Sequence, residues 1–342
     1  MPLGDSITEG YIEPDPIIYD GYRKKLKSML EKNGLIFDFV GSNSDGSFDD
    51  KQHEGHGGFS AQNYARLSGY ELLVNVKSYI QSEQPDYVLL HIGTNDINDF
   101  ANIYNHNNID TTVTAVGKIL DSIYSVNSNI QVILAKIVNR LDNPSTSFSE
   151  VLLTTQYNTK LDSLVNVRIL SGDKLSIVNM EIALNSTTDL SDAIHPNISG
   201  YEKMAPVWLN GIRNVLPKLS AKIFLEGAYS GSNSMTQSLK TAGVITTTQP
   251  FNTASWNYEG TEDAGTIPAG VVDWVLVSLR TGIEKSTEVA CRAGFVKTDG
   301  TIVDLDGTSP LAFVVDQGSY YVVVKHRNHL QIMSAAPVLI QP

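Results

Sequence analysis

Over roughly the first 217 residues, apolar runs alternate with amphipathic stretches, and nothing else in the sequence narrows the fold so far. A strand covered on both faces reads as an unbroken apolar run, and the helix that covers it carries apolar residues on one side only. The alternation therefore predicts a parallel sheet clothed by helices, an α/β domain. Strand candidates are "IFDFVGS", "DYVLLHIG", "IQVILAKIV" and "LSIVNM", and helical candidates run over 19–32, 69–82, 111–125, 148–164 and 199–215. Pro206 falls inside the last of these and predicts a bend or a restart, because proline has no N–H to give the preceding turn.

At "LPKLSAK" the texture changes. From there to the C-terminus the chain reads as short strands with Gly, Asn and Asp turns: "VVDWVLVSLR", "EVACRAGFVKTDGTIVDL", "LAFVV" and "SYYVVVKHR" are rich in β-branched and aromatic residues. The Asp-Gly pair in "KTDGT" is a hairpin signal. The expected organisation is an α/β domain over 1–217, a linker at 218–222, and a smaller all-β, sandwich-like domain over 223–342. A length of 342 residues agrees with two domains of about 100–200 residues each. No internal repeat, heptad run or low-complexity tract is apparent.

The formal net charge of −12 argues against nucleic acid as a partner, since phosphate binding calls for a basic face. The densest basic stretch, "YRKKLKSMLEK", places Tyr22, Leu26, Met29 and Leu30 on one side of a helix, so its lysines read as a solvated face. A single cysteine, Cys291, excludes an intrachain disulfide and a Cys-rich metal site; it lies in the apolar alternation "EVACRAGFV" and reads as a buried strand residue. No apolar run of about 18 residues is present to span a membrane. No signal peptide is visible. A Gly-Asp-Ser turn ordinarily comes after a longer strand than "MPL", so the start reads as internal to a longer precursor, and the expected location is secreted or at a bacterial cell surface.

Four short blocks carry the chemistry: "GDSIT" at 4–8, "HEGHGGFS" at 53–60, "GTND" at 93–96 and "SDAIHPN" at 191–197. Each is weak alone; a Gly-Asp-Ser is turn chemistry more often than catalysis, and "GTND" is an ordinary strand-end turn. Placement changes the weighing. "GDSIT" and "GTND" each come directly after an apolar strand candidate, where an open parallel sheet forms its ligand crevice. A serine hydroxyl is a poor nucleophile until a base takes its proton and a third group orients that base. The spacing of Asp192 and His195 lets one turn of chain bring a carboxylate to imidazole Nδ1 and leaves Nε2 for Ser6; alone, the pair reads more readily as a turn cap and a surface histidine. Gly58 can bring backbone N–H close to an acyl carbon, and Asn95 offers a side-chain NH2. With the N–H of Ser6 they make three donors for a developing oxyanion.

Ser6, Gly58, Asn95 and His195, in that order and in those motifs, resemble the four signature residues of the SGNH hydrolases, also called GDSL esterases. The resemblance covers about residues 1–217. It implies a flavodoxin-like, three-layer α/β/α fold and serine ester hydrolysis with no cofactor and no metal. Residue by residue, it implies Ser6 as nucleophile, Asp192 and His195 as the other triad members, and Gly58 and Asn95 as oxyanion donors beside the Ser6 N–H. Within that superfamily, "MPLGDSITEG", "DFVGS", "HEGHGGFS" and "DAIHPNISGYEKMA" resemble bacterial acetylxylan esterases and related carbohydrate deacetylases. "KIFLEGAYS" through "KHRNHLQIMSA" looks like a β-module appended to some bacterial surface or secreted proteins, which assigns it no function.

Several residues invite other readings. His53 and His56 are three apart among glycines, whereas zinc-protease histidines sit four apart on a helix, so His53 and Glu54 are expected to brace the loop that presents Gly58. Asp5 and Asp96 are expected to hold their turns through backbone N–H groups. His91 reads as a core histidine that the alternation allows to face the crevice floor. His326, Arg327 and His329 in "KHRNHL" read as a polar turn between strands, with contact to an anion as the alternative.

The loops "EGYIEPDPIIYDGY" and "NDFANIYNHNNID" should border the crevice, and their Tyr, Asn and Asp suit a polyhydroxyl substrate better than a fatty-acyl chain. The expected activity is hydrolysis of short-chain acyl esters, acetyl above all, on plant cell-wall carbohydrate such as acetylated xylan. Two alternatives stand beside it. One is a general short-chain esterase, arylesterase or lysophospholipase; the other is a noncatalytic carbohydrate-binding surface protein. The aromatics of "QPFNTASWNYEG" could give the β-domain a polysaccharide platform, or a core tryptophan in a domain that only attaches the enzyme.

Overall fold

In the computed structural model the described residues are 1–14, 19–62, 69–102, 109–144 and 149–342. The chain divides into two units, one of Met1–Lys27 and Asp38–Ile212, the other of Ser28–Phe37 and Arg213–Pro342.

The first unit is built on β1 (Pro2–Gly4), β2 (Glu54–Gly55), β3 (Tyr87–His91), β4 (Gln131–Lys136) and β5 (Leu175–Asn179). All pairings are parallel and the order is β2-β1-β3-β4-β5, the doubly wound order of flavodoxin-like sheets. The connecting helices are α1 (Ser6–Glu9), α2 (Gly21–Lys32), α3 (Leu72–Glu83), α4 (Thr94–Asn102), α5 (Ile109–Val126), α6 (Glu150–Leu170) and α7 (Ile198–Val215). Alternation along β4 divides the covering layers. Val132 and Leu134 join a core with Val76 and Ile80 of α3, Ile119 of α5 and Leu161 of α6. Ile133 faces the other way, towards α7, where a Cβ on Gly211 would come within 3.1 Å of it. Tyr22 of α2 packs on Trp208 of α7 at 5.6 Å between ring centroids. The result is the three-layer α/β/α arrangement.

Three local expectations are corrected. "IFDFVGS" is not a strand: the Phe39 N–H is taken by Asp50 Oδ1 and the Ser42 N–H by Glu54 Oε2, both at 2.8 Å, so side-chain carboxylates hold amides that a ladder would need. "GTND" is not a strand-end turn but the start of α4, with the Ile97 N–H donating to the Gly93 carbonyl at 3.2 Å. Helix α7 runs through Pro206 without a restart; the carbonyl that loses its partner belongs to exposed Glu202, where water can replace the bond.

The second unit contains the two-residue strands β6 (Lys218–Leu219) and β12 (Leu311–Ala312), which pair with each other, and β7 (Tyr229–Gly231), which pairs with β8 (Ser234–Met235) ahead of the single-turn α8 (Ser238–Thr241). Its main antiparallel sheet runs β11 (Ile302–Val303), β10 (Glu288–Lys297), β9 (Val271–Arg280), β13 (Gly318–His326), β14 (His329–Met333), and β15 (Val338–Ile340) also pairs with β13. The Asp299-Gly300 turn closes the β10–β11 hairpin, with Gly300 at φ 82°. Every residue of β9 is buried. A register shift opposite Val296 and Lys297 puts Val271 and Trp274 in one core cluster and Val272 and Val275 in another. Such a bulge inserts one residue and flips the alternation; beyond it Trp274 and Leu276 fill one cluster and Val275, Val277 and Leu279 the other, so both faces of the strand are filled. Among the described residues no helix is long and apolar enough to cross a membrane.

Candidate active site

The site lies at the carboxyl ends of the parallel strands, where the chain leaves β1 and β3. Gly4 pairs beside His91, and a Cβ on it would fall 2.1 Å from the His91 carbonyl oxygen, so only glycine fits there. Asp5 then caps α1: its backbone is extended (φ −99°, ψ −157°) and its Oδ1 accepts the Ile7 N–H at 3.0 Å. This leaves Ser6 as the first residue of a helix rather than of a free turn.

His195 and Asp192 arrive from the segment between β5 and α7. His195 Nε2 is 2.9 Å from Ser6 Oγ, across 189 residues of sequence. His195 Nδ1 is 2.7 Å from Asp192 Oδ2. The other carboxylate oxygen, Oδ1, accepts the N–H groups of Ile194 and His195, both at 2.6 Å, so one side chain folds its own short loop and aims the imidazole. Burial alone would raise the Asp192 pKa, but these bonds from His195 and Ile194 outweigh it and hold the carboxyl at about 2. A carboxylate at Nδ1 fixes the proton there and leaves Nε2 as an acceptor for the serine hydroxyl. Tyr11 lies against the imidazole with ring centroids 4.7 Å apart, and its carbonyl accepts the Tyr201 hydroxyl at 2.8 Å.

Gly58 and Asn95 are tied to each other through one carbonyl. The Asn95 side-chain amide donates to the Phe59 carbonyl at 2.8 Å, which leaves its second N–H uncommitted to that bond. Gly58 is exposed and left-handed at φ +79°, a conformation that favours glycine. The loop carrying it is anchored at both ends. The His56 N–H donates to the Gly4 carbonyl at 3.0 Å, and Asp96 Oδ2 accepts the Ala61 N–H at 2.8 Å.

The expected bracing residues lie behind this loop. Glu54 is buried and accepts from Ser42 through both N–H and hydroxyl, while His56 Nε2 lies 2.6 Å from its Oε1. Burial opposes ionisation of Glu54, but these bonds lower its pKa on balance. His53 Nδ1 accepts the Gly55 N–H at 3.1 Å, and burial, with the nearby charges of Arg23 and His56, pushes its pKa down to about 3, so it is a neutral acceptor. His91 is fully buried 3.9 Å from Asp5, and burial lowers its pKa despite that carboxylate. Burial raises Asp96 to about 7 against the pull of backbone N–H groups.

Arg23 was not singled out by sequence. It is fully buried, and its guanidinium donates to the carbonyls of Thr8 at 3.1 Å, Glu9 at 2.9 Å and Lys51 at 2.7 Å, clasping the end of α1. Its lysine neighbours Lys24 and Lys25 are exposed, as a solvated face requires. The available signal was position: Arg23 precedes Leu26 by three residues and Leu30 by seven, which sets it on the apolar side. In the second unit, Cys291 lies on β10 with Sγ 3.3 Å from Ser278 Oγ, and burial raises its thiol to about 11. His326 and His329 end and begin adjacent strands, with Arg327 in the turn between them. Residues 15–18 and 103–108 of the two loops expected to border the crevice lie outside the described residues.

Residues 3–203 match the GDSL-like lipase/acylhydrolase family. The chain is 30% identical over 233 residues to a multidomain esterase of Ruminococcus flavefaciens, an overlap of 63% of this chain and 28% of that protein. It therefore spans little more than a quarter of that relative's length. Among solved structures it is similar to a family 3 carbohydrate esterase of Clostridium thermocellum, with a TM-score of 0.50, 29% identity, and coverage of 61% of this chain and 92% of that one. With a matching segment that covers the strand-end serine, the Gly58 loop, Asn95 and the Asp192–His195 pair, the chain belongs to the GDSL-like lipase/acylhydrolase family.

Proposed function

We propose that the first unit is a serine esterase that removes small acyl groups, acetyl above all, from plant cell-wall carbohydrate such as acetylated xylan. The observation that carries this reading is the continuous line from Ser6 Oγ through the His195 ring to Asp192 Oδ2, with contacts of 2.9 Å and 2.7 Å. Ser6 Oγ attacks the ester carbonyl carbon while its proton passes to His195 Nε2. The bond to the sugar oxygen breaks as His195 returns that proton to it. A water then repeats the sequence on the acyl-serine, which releases acetate and restores the Ser6 hydroxyl. Asp192 keeps the imidazole in the accepting tautomer and stabilises the imidazolium. The N–H groups of Ser6 and Gly58 and the second side-chain N–H of Asn95 receive the oxyanion.

The sugar side of the proposal is supported by the surroundings of Ser6. Tyr11 lies against His195, Tyr19 stands beside Tyr11 at 6.4 Å between centroids, and Tyr70 is 3.6 Å from where a Gly58 Cβ would be. Aromatic faces with polar tips suit a polyhydroxyl ring. The similarity to a carbohydrate esterase points the same way. A polymeric substrate implies action outside the cell, so export belongs to the proposal.

The test compares acetate release from 4-nitrophenyl acetate and from acetylated xylan by the wild type and Ser6→Ala. Loss of the nucleophile is expected to lower kcat by about 10^4-fold or more on both. Activity that survives the substitution overturns Ser6 as nucleophile. Faster hydrolysis of octanoyl than of acetyl esters overturns the acyl preference, and activity on the aryl ester without acetate from xylan overturns the polymer.

A further inference from the structure

One concavity with an unassigned role lies wholly within the second unit. It is an open cleft of about 810 Å³, within the roughly 300–1,000 Å³ of small-molecule sites. Leu276 and Cys291 form part of its lining, and the turn that joins β13 to β14 forms another wall. None of the residues around Ser6 contributes to it.

Two properties of the lining select a ligand. The first is an apolar platform. Trp256 is half-buried and held edge-on against Phe251 at 5.7 Å and 75°, and its backbone N–H is pinned to the Thr253 carbonyl at 3.0 Å. Leu330, 92% exposed, also lines the cleft. The second is internal charge balance. Lys325 lies 3.3 Å from Glu288, and Arg327 lies 2.5 Å from buried Asp273, which also sits 3.1 Å from His326. Lys285 and Glu259 add one charge of each sign. An anion would find the Lys325 ammonium and the Arg327 guanidinium already facing carboxylates, whereas a ligand with hydroxyl groups needs both donors and acceptors.

We propose that this cleft binds a neutral oligosaccharide, one pyranose stacked on Trp256 with its hydroxyls among the paired charges. A pyranose presents a C–H face that covers an indole and a rim of hydroxyls that both give and accept hydrogen bonds. The choice of oligosaccharide rests on the carbohydrate reading of the first unit, but the site is separate and is read out by binding rather than by ester hydrolysis.

Tryptophan fluorescence provides the test. Of the three tryptophans, Trp208 and Trp274 are fully buried, so a ligand on the platform reports through Trp256. The full chain carrying Ser6→Ala is titrated with xylohexaose and with cellohexaose, and calorimetry repeats the titration with Trp256→Ala or Leu330→Asp added. The expected result is a saturable fluorescence change with at least one oligosaccharide and an affinity reduced tenfold or more by each added substitution. Leu330→Asp guards against misfolding, because the side chain is almost wholly in water. In a Ser6 background both substitutions should leave 4-nitrophenyl acetate hydrolysis unchanged. No saturable change with either sugar overturns the proposal, as does binding that survives both substitutions, which would place the sugar elsewhere. Salt-sensitive binding of heparin in the cleft, stronger than that of either neutral sugar, overturns the neutral class.

Discussion

Replacing Asp192 by Asn tests the site more sharply than removing the nucleophile, because the structure dictates how it should fail. Oδ1 of Asp192 accepts two backbone N–H groups at 2.6 Å, and an asparagine keeps its loop folded only by leaving its carbonyl oxygen there. Its NH2 then faces His195 Nδ1 across the 2.7 Å now spanned by an N–H to carboxylate bond, donor against donor. The ring escapes by moving its proton to Nε2, where it donates to Ser6 Oγ and can no longer accept from it. The general base is lost while every heavy atom stays in place. Loss of the correct tautomer in a serine triad costs about 10^4 in kcat, and at about 1.4 kcal/mol per decade that is roughly 5.5 kcal/mol of transition-state stabilisation. KM should change little, because no group facing the substrate is altered. The assay is steady-state hydrolysis of 4-nitrophenyl acetate at neutral pH, with a thermal melt to show that the loop is intact. If Asp192→Asn keeps more than about a tenth of wild-type kcat with an unchanged melt, the tautomer argument is refuted. If activity and melting temperature fall together, the amide has flipped and the loop, not the tautomer, carries the loss.

The surrounding geometry makes two further predictions. Asn95→Ala removes one proposed oxyanion donor and should lower kcat by about 10^2–10^3-fold with KM little changed; a rise in KM alone would make Asn95 only the anchor of Phe59. Asp96→Asn copies the neutral form of a carboxyl that burial holds at about 7, so it should remove a pH dependence of stability. A raised carboxyl binds its proton more tightly when folded than when unfolded, so wild-type stability should fall as pH rises from about 4 to about 7 and then level off. The full effect is roughly 4 kcal/mol relative to the asparagine variant, read from urea midpoints across that window. Parallel curves for the two proteins would show that Asp96 does not titrate there.

Strands β3, β4 and β5 were readable because "DYVLLHIG", "IQVILAKIV" and "LSIVNM" are apolar runs of strand length, whereas β2 (Glu54–Gly55) carries no such run and was not. "IFDFVGS" carries the same signal and fails as a strand, since what decides it lies elsewhere in the chain: Asp50 and Glu54 take amides that a ladder would need. "GTND" misled in a related way. Thr94 and Asn95 are indifferent helix formers, and what commits the segment to a helix is the Ile97 to Gly93 bond and the Arg140 guanidinium on the Thr94 carbonyl at 2.9 Å. Arg23 was absorbed into a basic helix face because charge composition does not record which side of a helix a residue occupies.

By itself the sequence determined the class of fold, the change of texture towards a β-rich second part and the family, because these depend on local periodicity and on short motifs whose chemistry travels with them. It also made Asp192 and His195 readable as a pair, since one turn of chain suffices to join them. Only the tertiary structure decided that His195 Nε2 meets Ser6 Oγ across 189 residues, and that Phe59 ties the Gly58 loop to Asn95. The same holds for the buried clasp of Arg23 and the charge-paired cleft around Trp256. Contacts of that kind depend on where strands end in space and on which faces are left uncovered. Those are properties of the packed whole, and no window of sequence contains them.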